Sequence, residues 1–197
     1  GKVRLRLSVT GDDATALDAL LDAKVEELKA LIPEYIFGYG KTSFEEAFGE
    51  VLRNKKLTVA TAESCTGGLI AHKITSVSGA SHYFHGSVIA YDNRIKINVL
   101  GVNPMTLKNH GAVSEQTVRE MVQGVLRVME TKYAIAVSGI AGPNGGTPEK
   151  PVGTIWVAVG NHKEIRTHKL LLSKDRLKNI QYTTTFALNF LRRMIVG

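Results

Sequence analysis

Residues 2–9 alternate between polar and apolar side chains, and a period of two is typical of a strand with one buried face. Apolar residues then recur at helical spacing from Leu17 to Leu31, and a short apolar segment follows at residues 35–37. The pattern predicts a strand, a helix and a second strand. Because about forty residues bury too little surface for a stable independent domain, we interpret residues 1–42 as a partial α+β module.

From residue 43 onward, apolar strands and amphipathic helices alternate, which predicts an α/β fold, a three-layer α/β/α sandwich over residues 43–197. Ser43 and Glu46 form a capping-box pattern ahead of the first helix. We predict helices over residues 44–52, 66–77, 94–100, 114–132 and 175–195, and strands over residues 57–62, 86–91, 133–137, 154–159 and, at the sheet edge, 164–172.

The composition of the chain argues against a membrane protein, a disulfide-rich protein and a secreted protein. The chain has 197 residues, 44% of them hydrophobic, and no apolar run approaches the length of a membrane span. Cys65 is its single cysteine, which excludes a disulfide framework and the structural zinc sites that need two or more thiolates. No secretory signal pattern opens the sequence. We therefore expect a globular cytoplasmic protein that makes no contact with a membrane.

The net charge of +7 is unevenly distributed. Residues 1–42 hold six Lys+Arg and seven Asp+Glu, and the remaining residues hold 19 and 11, so the two parts carry net charges of −1 and +8. A basic body favours anionic partners, either nucleic acid or a phosphorylated metabolite. Scattered lysines also serve solubility alone, and the chain has no run of five or more basic residues.

The segment AESCTGG joins a predicted strand to a predicted helix. The backbone amides of Thr66, Gly67 and Gly68 should project from the start of that helix, where negative charge is favoured. Ser64 is accordingly a candidate nucleophile, a candidate phosphate ligand, or the N-cap of the helix. Cys65 is a rival nucleophile without an evident activating partner.

The segment YDNRIK lies at the next strand-to-helix junction, where the Tyr91 hydroxyl and the Lys96 amine could meet across one helical turn. A lysine deprotonates serine only if desolvation or nearby positive charge lowers its pKa, and Arg94 lies close in sequence. The alternative interpretation is a solvated helix start with Tyr91 packed on the sheet.

Residues 138–153 form a glycine- and proline-rich loop between two buried strands. Such a loop can bring backbone amides close to an anion, although a hairpin connection without a function is the alternative. No Walker motif or G-x-G-x-x-G accompanies it, and the six histidines lack metal-ligand spacing. We therefore expect no metal and no bound cofactor.

Three segments together, AESCTGG, HGAVSE and SGIAGPNGGTPEKPVGT, resemble the C-terminal domain of the competence/damage-inducible CinA family. The resemblance covers about residues 43–196, and residues 1–42 are similar to part of the KH-type module that precedes this domain in longer members. Two positions depart from the family pattern. Ser138 replaces the more usual threonine, which keeps the hydroxyl, and Asn144 stands where glycine or aspartate is frequent.

The resemblance implies hydrolysis of the carboxamide of nicotinamide mononucleotide to nicotinic acid mononucleotide and ammonia, with Ser64 as nucleophile assisted by Tyr91 and Lys96. The substrate's phosphate would then need the loop over residues 139–147, with a basic side chain as counter-charge. The residues that we assign to substrate binding are Glu63, Thr66, Gly67, Gly68, Ser138, Gly139, Gly142, Gly145, Gly146, Thr147, Lys150 and Arg176.

Two other functions compete with this hypothesis. A nucleic-acid-binding module fits the basic body, but residues 1–42 lack the G-x-x-G loop with which KH domains clamp a nucleic-acid backbone. A non-catalytic domain that binds a nucleotide and regulates another domain is the second. Exposed strand edges in the N-terminal module also lead us to expect a homodimer.

Overall fold

The structure, a computed structural model, describes residues 3–197 apart from the side chain of Glu34. The chain forms two compact units, Gly1–Phe44 and Glu45–Gly197. The division predicted after residue 42 lies two residues before this boundary.

The first unit contains a helix, α1 (Ala14–Leu31), and a 3-10 helix over Pro33–Tyr35. The strand predicted over residues 2–9 does not form among residues 3–9, and residue 2 lies outside the described part of the chain. Residues 35–37 do not form the predicted second strand either, because the 3-10 helix extends to Tyr35. Alternation alone cannot make a strand, since its backbone groups need a partner strand.

The second unit is built on a five-stranded mixed sheet. Its strands are β1 (Val59–Glu63), β2 (Phe84–Ile89), β3 (Tyr133–Gly139), β4 (Thr154–Gly160) and β5 (Ile165–Leu171). They lie in the order β2-β1-β3-β4-β5, with the first three parallel and the last two antiparallel to their neighbours. The expectation that residues 164–172 form an edge strand is confirmed.

The remaining helices are α2 (Phe44–Asn54), α3 (Leu69–Thr75), α4 (Asn93–Asn98), α5 (Pro104–His110), α6 (Glu115–Met129) and α7 (Arg176–Val196), with a 3-10 helix over Ala80–His82. Side chains of Ser114 and Asp175 cap α6 and α7, so both helices begin where the sequence predicts. Helix α5 was not predicted, although Asn103 caps it and Pro104 stands at its first turn.

Helices cover both faces of the sheet. Alternate small residues of three central strands face α6, and their short side chains let the helix approach closely; they are Ala60, Ala62, Ala134, Ala136 and Ala158. Helices α3 and α7 contact each other and the opposite face. The second unit is therefore an α/β fold with three layers, as predicted for residues 43–197. No helix within residues 3–197 is long and apolar enough to cross a membrane.

The three parallel strands end at one edge of the sheet. Glu63 is in register with Ile89 of β2 on one side and with Val137 of β3 on the other. Adjacent strands lie about 4.8 Å apart, so Ser64, Ala90 and Ser138, the residues that follow these three, emerge side by side. Residues from distant parts of the sequence thus meet at this edge, where open α/β sheets place their ligands.

Candidate active site

Ser64 leaves the end of β1 in a tight turn. Its amide extends the pairing with β3 by donating to the Val137 carbonyl at 3.1 Å, and its own carbonyl accepts from the Gly67 amide at 3.1 Å. Gly67 and Gly68 have φ values of 62° and 101°, in the left-handed region that favours glycine. The turn leaves Ser64 8% exposed, so its hydroxyl lies in a largely desolvated position.

Glu63 holds this turn together from inside. Its side chain is fully buried, and its carboxylate accepts from the Thr66 hydroxyl at 2.7 Å and from the amides of Gly68, Ile70 and Ala71 at 2.9, 3.1 and 2.8 Å. The chain thus supplies its own anion at the start of α3. The sequence predicts a substrate-binding role for Glu63; the structure instead gives its oxygens intramolecular donors, because the glycine turn folds those amides back over β1.

We predict that Glu63→Ala lowers the free energy of unfolding by about 3–5 kcal/mol, because several buried donors lose their acceptor at once. Glu63→Gln keeps one oxygen and should lose less. The measurement is urea unfolding followed by circular dichroism. Glu50→Ala, at an exposed position of α2, is the matched control and should stay within about 0.5 kcal/mol. Equal losses for Glu63→Ala and Glu50→Ala would contradict this account.

Lys96 projects from α4 toward the Ser64 turn. Its side chain is 1% exposed, and its Nζ lies 3.3 Å from Ser64 Oγ, 2.6 Å from the Ala90 carbonyl oxygen and 3.3 Å from the Tyr91 carbonyl oxygen. In the neutral amine, two N–H groups can donate to the two carbonyls. The lone pair of Nζ is then left to accept the proton of Ser64 Oγ at 3.3 Å, as a general base for this hydroxyl must.

Burial also shifts the pKa values of Lys96 and Cys65, the two titratable groups next to Ser64. It lowers the pKa of Lys96 below its ordinary value, against the opposing effect of Asp92 and Cys65. Burial likewise raises the pKa of the Cys65 thiol to about 12. A thiol that stays protonated is a poor nucleophile. Of the two adjacent residues, Ser64 is therefore the better candidate for the nucleophile.

The Tyr91 side chain takes a different position from the one that the sequence suggested. Its ring is 62% exposed, and its hydroxyl accepts from Arg176 Nη2 at 3.2 Å; its only hydrogen bond with Lys96 in the described residues is through its backbone carbonyl. Arg176 Nη1 donates to the Gly142 carbonyl at 2.9 Å. Arg176, at the start of α7, therefore links the segment after β2 to the glycine-rich loop.

The glycine-rich loop is anchored by a residue that sequence reasoning missed. Asn179 is 1% exposed, and its Nδ2 donates to the carbonyls of Ala141 and Ser173 at 2.9 and 2.8 Å. Gly142 has a φ of 94°, and a Cβ there would lie 2.6 Å from Val152 Cγ1. A polar residue inside an amphipathic helix pattern gives no local sign of such a contact.

Other loop residues that the sequence assigns to substrate binding form hydrogen bonds within the protein. The buried Ser138 hydroxyl donates to the Ala112 carbonyl at 2.7 Å, and Lys150 Nζ donates to the His110 carbonyl at 2.6 Å, so both hold the HGAVSE segment beside the site. Thr147 Oγ1 accepts from the Lys150 amide. Close packing excludes a side chain at two of the glycines, because a Cβ on Gly139 would lie 2.5 Å from Ile155 and a Cβ on Gly146 would lie 2.7 Å from Val152. Gly145 is exposed and has a φ of 91°.

The three amides expected at the start of α3 differ in availability. The Gly67 amide donates to Ser64 and the Gly68 amide to Glu63, whereas that of Thr66 has no acceptor within the described residues. The Thr66 amide is thus the available one to stabilise an oxyanion formed near Ser64. Residues 3–197 hold no group of three or more His, Cys, Asp or Glu side chains that could bind a metal ion.

A family model described as the CinA C-terminal domain matches residues 41–195. The chain belongs to the CinA family. Among CinA relatives, the CinA-like protein of Cytophaga hutchinsonii is 44% identical over 99% of this chain and 47% of its own length. That of Dictyoglomus thermophilum is 42% identical over 100% of this chain and 48% of its own. The chain thus spans about half the length of these relatives.

Solved CinA structures share the fold of this chain. The competence/damage inducible protein CihA of Agrobacterium tumefaciens is 34% identical and superposes with a TM-score of 0.72, covering 81% of this chain and all of its own. A CinA superfamily protein of Klebsiella pneumoniae is 33% identical with a TM-score of 0.73, covering 76% of this chain and 93% of its own. The fold and family anticipated from the three segments are therefore confirmed.

Proposed function

We propose that this CinA domain is a nicotinamide mononucleotide amidohydrolase, which converts the carboxamide of the nucleotide to a carboxylate and releases ammonia. The 3.3 Å contact between Lys96 Nζ and Ser64 Oγ, in a buried setting, carries the proposal. A lysine amine beside a serine hydroxyl is one of the arrangements that activate serine for acyl transfer. The choice of substrate rests on the resemblance of the AESCTGG, HGAVSE and SGIAGP segments to the family.

In the first half-reaction, Ser64 Oγ attacks the carboxamide carbon while its proton passes to the neutral Lys96 amine. The carbonyl oxygen becomes an oxyanion, toward which the Thr66 amide can donate. Collapse of this intermediate breaks the carbon–nitrogen bond, and the nitrogen takes the proton from Lys96 and leaves as ammonia. The product is an ester between Ser64 and the pyridine carboxyl group.

In the second half-reaction, water attacks the ester and gives its proton to Lys96. The ester bond to Ser64 breaks, Oγ recovers a proton from Lys96, and the carboxylic acid leaves and ionises in solution. Lys96 thus acts first as base and then as acid in each half-reaction, which requires a pKa below that of an ordinary lysine. The burial of Lys96 acts in that direction.

The surroundings of Ser64 suit the rest of the nucleotide. The exposed ring of Tyr91 offers a face for a positively charged pyridinium ring. Arg176 is held against Tyr91 and the glycine-rich loop, and we assign it, with Lys150, to the phosphate. The hydrogen bond between Arg176 and Tyr91 would then couple the groups that hold the two ends of the substrate.

The test is an ammonia-release assay with the purified chain and nicotinamide mononucleotide, with nicotinic acid mononucleotide measured by chromatography. We expect the two products in equal amounts. Nicotinamide riboside, which lacks the phosphate, should give a kcat/KM lower by about tenfold or more, since a charge-assisted phosphate contact is lost. Thermal stabilisation by the mononucleotide without ammonia would instead indicate a non-catalytic nucleotide-binding module. Salt-sensitive nucleic-acid binding without turnover would also contradict the proposal.

A further inference from the structure

A cleft of about 610 Å³ lies between α6 and the turn that joins β4 to β5. Asn161 in this turn directly follows Gly160, and Gly160 pairs with Ala134 near the start of β3. The candidate active site is at the other end of this strand, since Ser138, near the end of β3, lies at the edge occupied by Ser64. Four residue steps of about 3.3 Å separate the two positions on β3, or about 13 Å. The cleft is therefore at the edge of the sheet opposite to the candidate active site.

Hydrogen-bond donors line both walls of this cleft, and no Asp or Glu is among its lining residues. One wall is a single face of α6, since its residues recur at spacing of four, and the other is the β4–β5 turn. The polar lining residues are Arg119, Gln123 and Arg127 from α6 and Asn161, His162 and Lys163 from the turn. Such a lining favours an anionic ligand.

The basic side chains of the cleft differ in whether an acidic side chain pairs with them. Arg119 forms an ion pair with Glu115 at 2.9 Å and donates to the Ile165 carbonyl at 3.0 Å, so it fixes the turn against α6. Arg127 donates to the Leu100 carbonyl at 3.0 Å but has no ion pair among residues 3–197, and neither does Lys163. Arg127 and Lys163 are therefore the uncompensated charges.

Asn161 and two apolar residues complete the lining of the cleft. Asn161 Oδ1 accepts from the amides of Lys163 and Glu164 at 2.8 and 2.9 Å, which leaves the Nδ2 group of Asn161 as a further donor. Glu164 itself forms an ion pair with Arg166 at 2.7 Å. Two apolar residues also line the cleft, the buried Leu126 and the half-buried Ile165.

We propose that this cleft binds a phosphorylated small molecule at a second site, distinct from the one at Ser64. Its volume lies in the range of about 300–1,000 Å³ that is usual for small-molecule pockets. The charges of Arg127 and Lys163, one from each wall of the cleft, suit a phosphate group, and the volume leaves room for a compact organic body. A concave site of this size fits a small ligand better than the backbone of a nucleic acid, which needs an extended basic track.

The experiment is a titration of the full chain with inorganic phosphate and, separately, with adenosine monophosphate, followed by amide NMR. We expect shifts at residues 161–163, with tighter binding of the nucleotide because its base can contact further lining residues, Ile165 among them. Arg127→Gln and Lys163→Gln should each weaken the binding about tenfold, the loss of one charge-assisted hydrogen bond. Lys73→Gln, on the other face of the sheet, and Arg176→Gln, at the candidate active site, should leave the shifts at residues 161–163 unchanged.

Three results would overturn the proposal. The first is the absence of shifts at residues 161–163 with either probe at millimolar concentration. The second is shifts that persist in the Arg127→Gln and Lys163→Gln variants. The third is binding at this cleft by an oligonucleotide but not by adenosine monophosphate, which would make the cleft a nucleic-acid contact. Because the readout does not involve turnover, failure of the amidohydrolase proposal would leave this test intact.

Discussion

Ser64→Ala is expected to reduce ammonia release from nicotinamide mononucleotide by at least about 10³-fold in kcat, because it removes the atom that forms the covalent ester. The hydroxyl is the only part of Ser64 that the substitution takes away. Its backbone hydrogen bonds to Val137 and Gly67 remain, so the turn keeps its shape. Since Tyr91, Lys150 and Arg176, which we assign to the substrate, are also untouched, substrate binding should survive.

The measurement combines the ammonia assay with thermal denaturation in the presence and absence of the mononucleotide. Ser64→Ala should melt within a few degrees of the unsubstituted chain and should still be stabilised by the ligand. Ser81→Ala is the matched control, because Ser81 is exposed and forms no hydrogen bond through its side chain in the described residues. It should keep full activity.

The two outcomes of this experiment separate two mechanisms. Trapping with hydroxylamine during turnover should give the hydroxamate of the pyridine acid with the unsubstituted chain and none with Ser64→Ala. If Ser64→Ala keeps full activity in a folded protein, the ester does not lie on the reaction path. A water molecule activated by Lys96 would then have to attack the carboxamide directly.

Local sequence signals predicted the start of several helices but not the direction of every strand. Ser114 and Asp175 cap helices α6 and α7 through hydrogen bonds to residues three positions on, a contact that a short sequence window contains. The antiparallel pairing of β3 with β4 joins Gly139 to Ile155 across the glycine-rich loop. Continuous apolar runs indicate that both faces of the sheet are covered, but they do not indicate whether a strand runs parallel or antiparallel to its neighbour.

The segments of the first unit show the limit of a periodic pattern. Val3 and Leu5 are 79% and 59% exposed, and α1 contains no buried residue. The period-two pattern at residues 3–9 specifies which side chains share a face, but a strand also needs a neighbouring backbone to pair with. No such strand is present in residues 3–44, so the pattern remains without the pairing that would make it a strand.

The candidate site was predictable where function depends on residue type and not where it depends on distant contacts. The sequence predicts Ser64 and Lys96 because it shows a serine directly after one strand and a lysine near the end of the next. The contact between Arg176 and Tyr91 joins residues 85 positions apart, and Glu63 receives its donors only after the Gly67 turn reverses the chain. These contacts depend on the folded backbone.

Lys96→Met is expected to lower kcat by about 10²–10⁴-fold, the usual contribution of a positioned general base. Methionine fills a volume similar to that of the lysine stem and needs no hydrogen bond, so the buried position beside Ser64 should remain packed. Lys96→Arg should be equally inactive, because a guanidinium cannot give up its proton near neutral pH. Lys108→Met, at an exposed position of α5, is the matched control and should keep its activity.

The pH dependence of the unsubstituted chain tests the same role by a different route. Only neutral Lys96 can accept the Ser64 proton, so kcat/KM should rise with pH as Lys96 loses its proton and should level off above its pKa. Because burial lowers this pKa, the midpoint of the rise should lie below the ordinary lysine value of 10.5. The rise should be absent from the residual activity of Lys96→Met. A rise with an unchanged midpoint in that variant would assign the titration to another group, and Lys96 would then be a structural residue that positions Ser64.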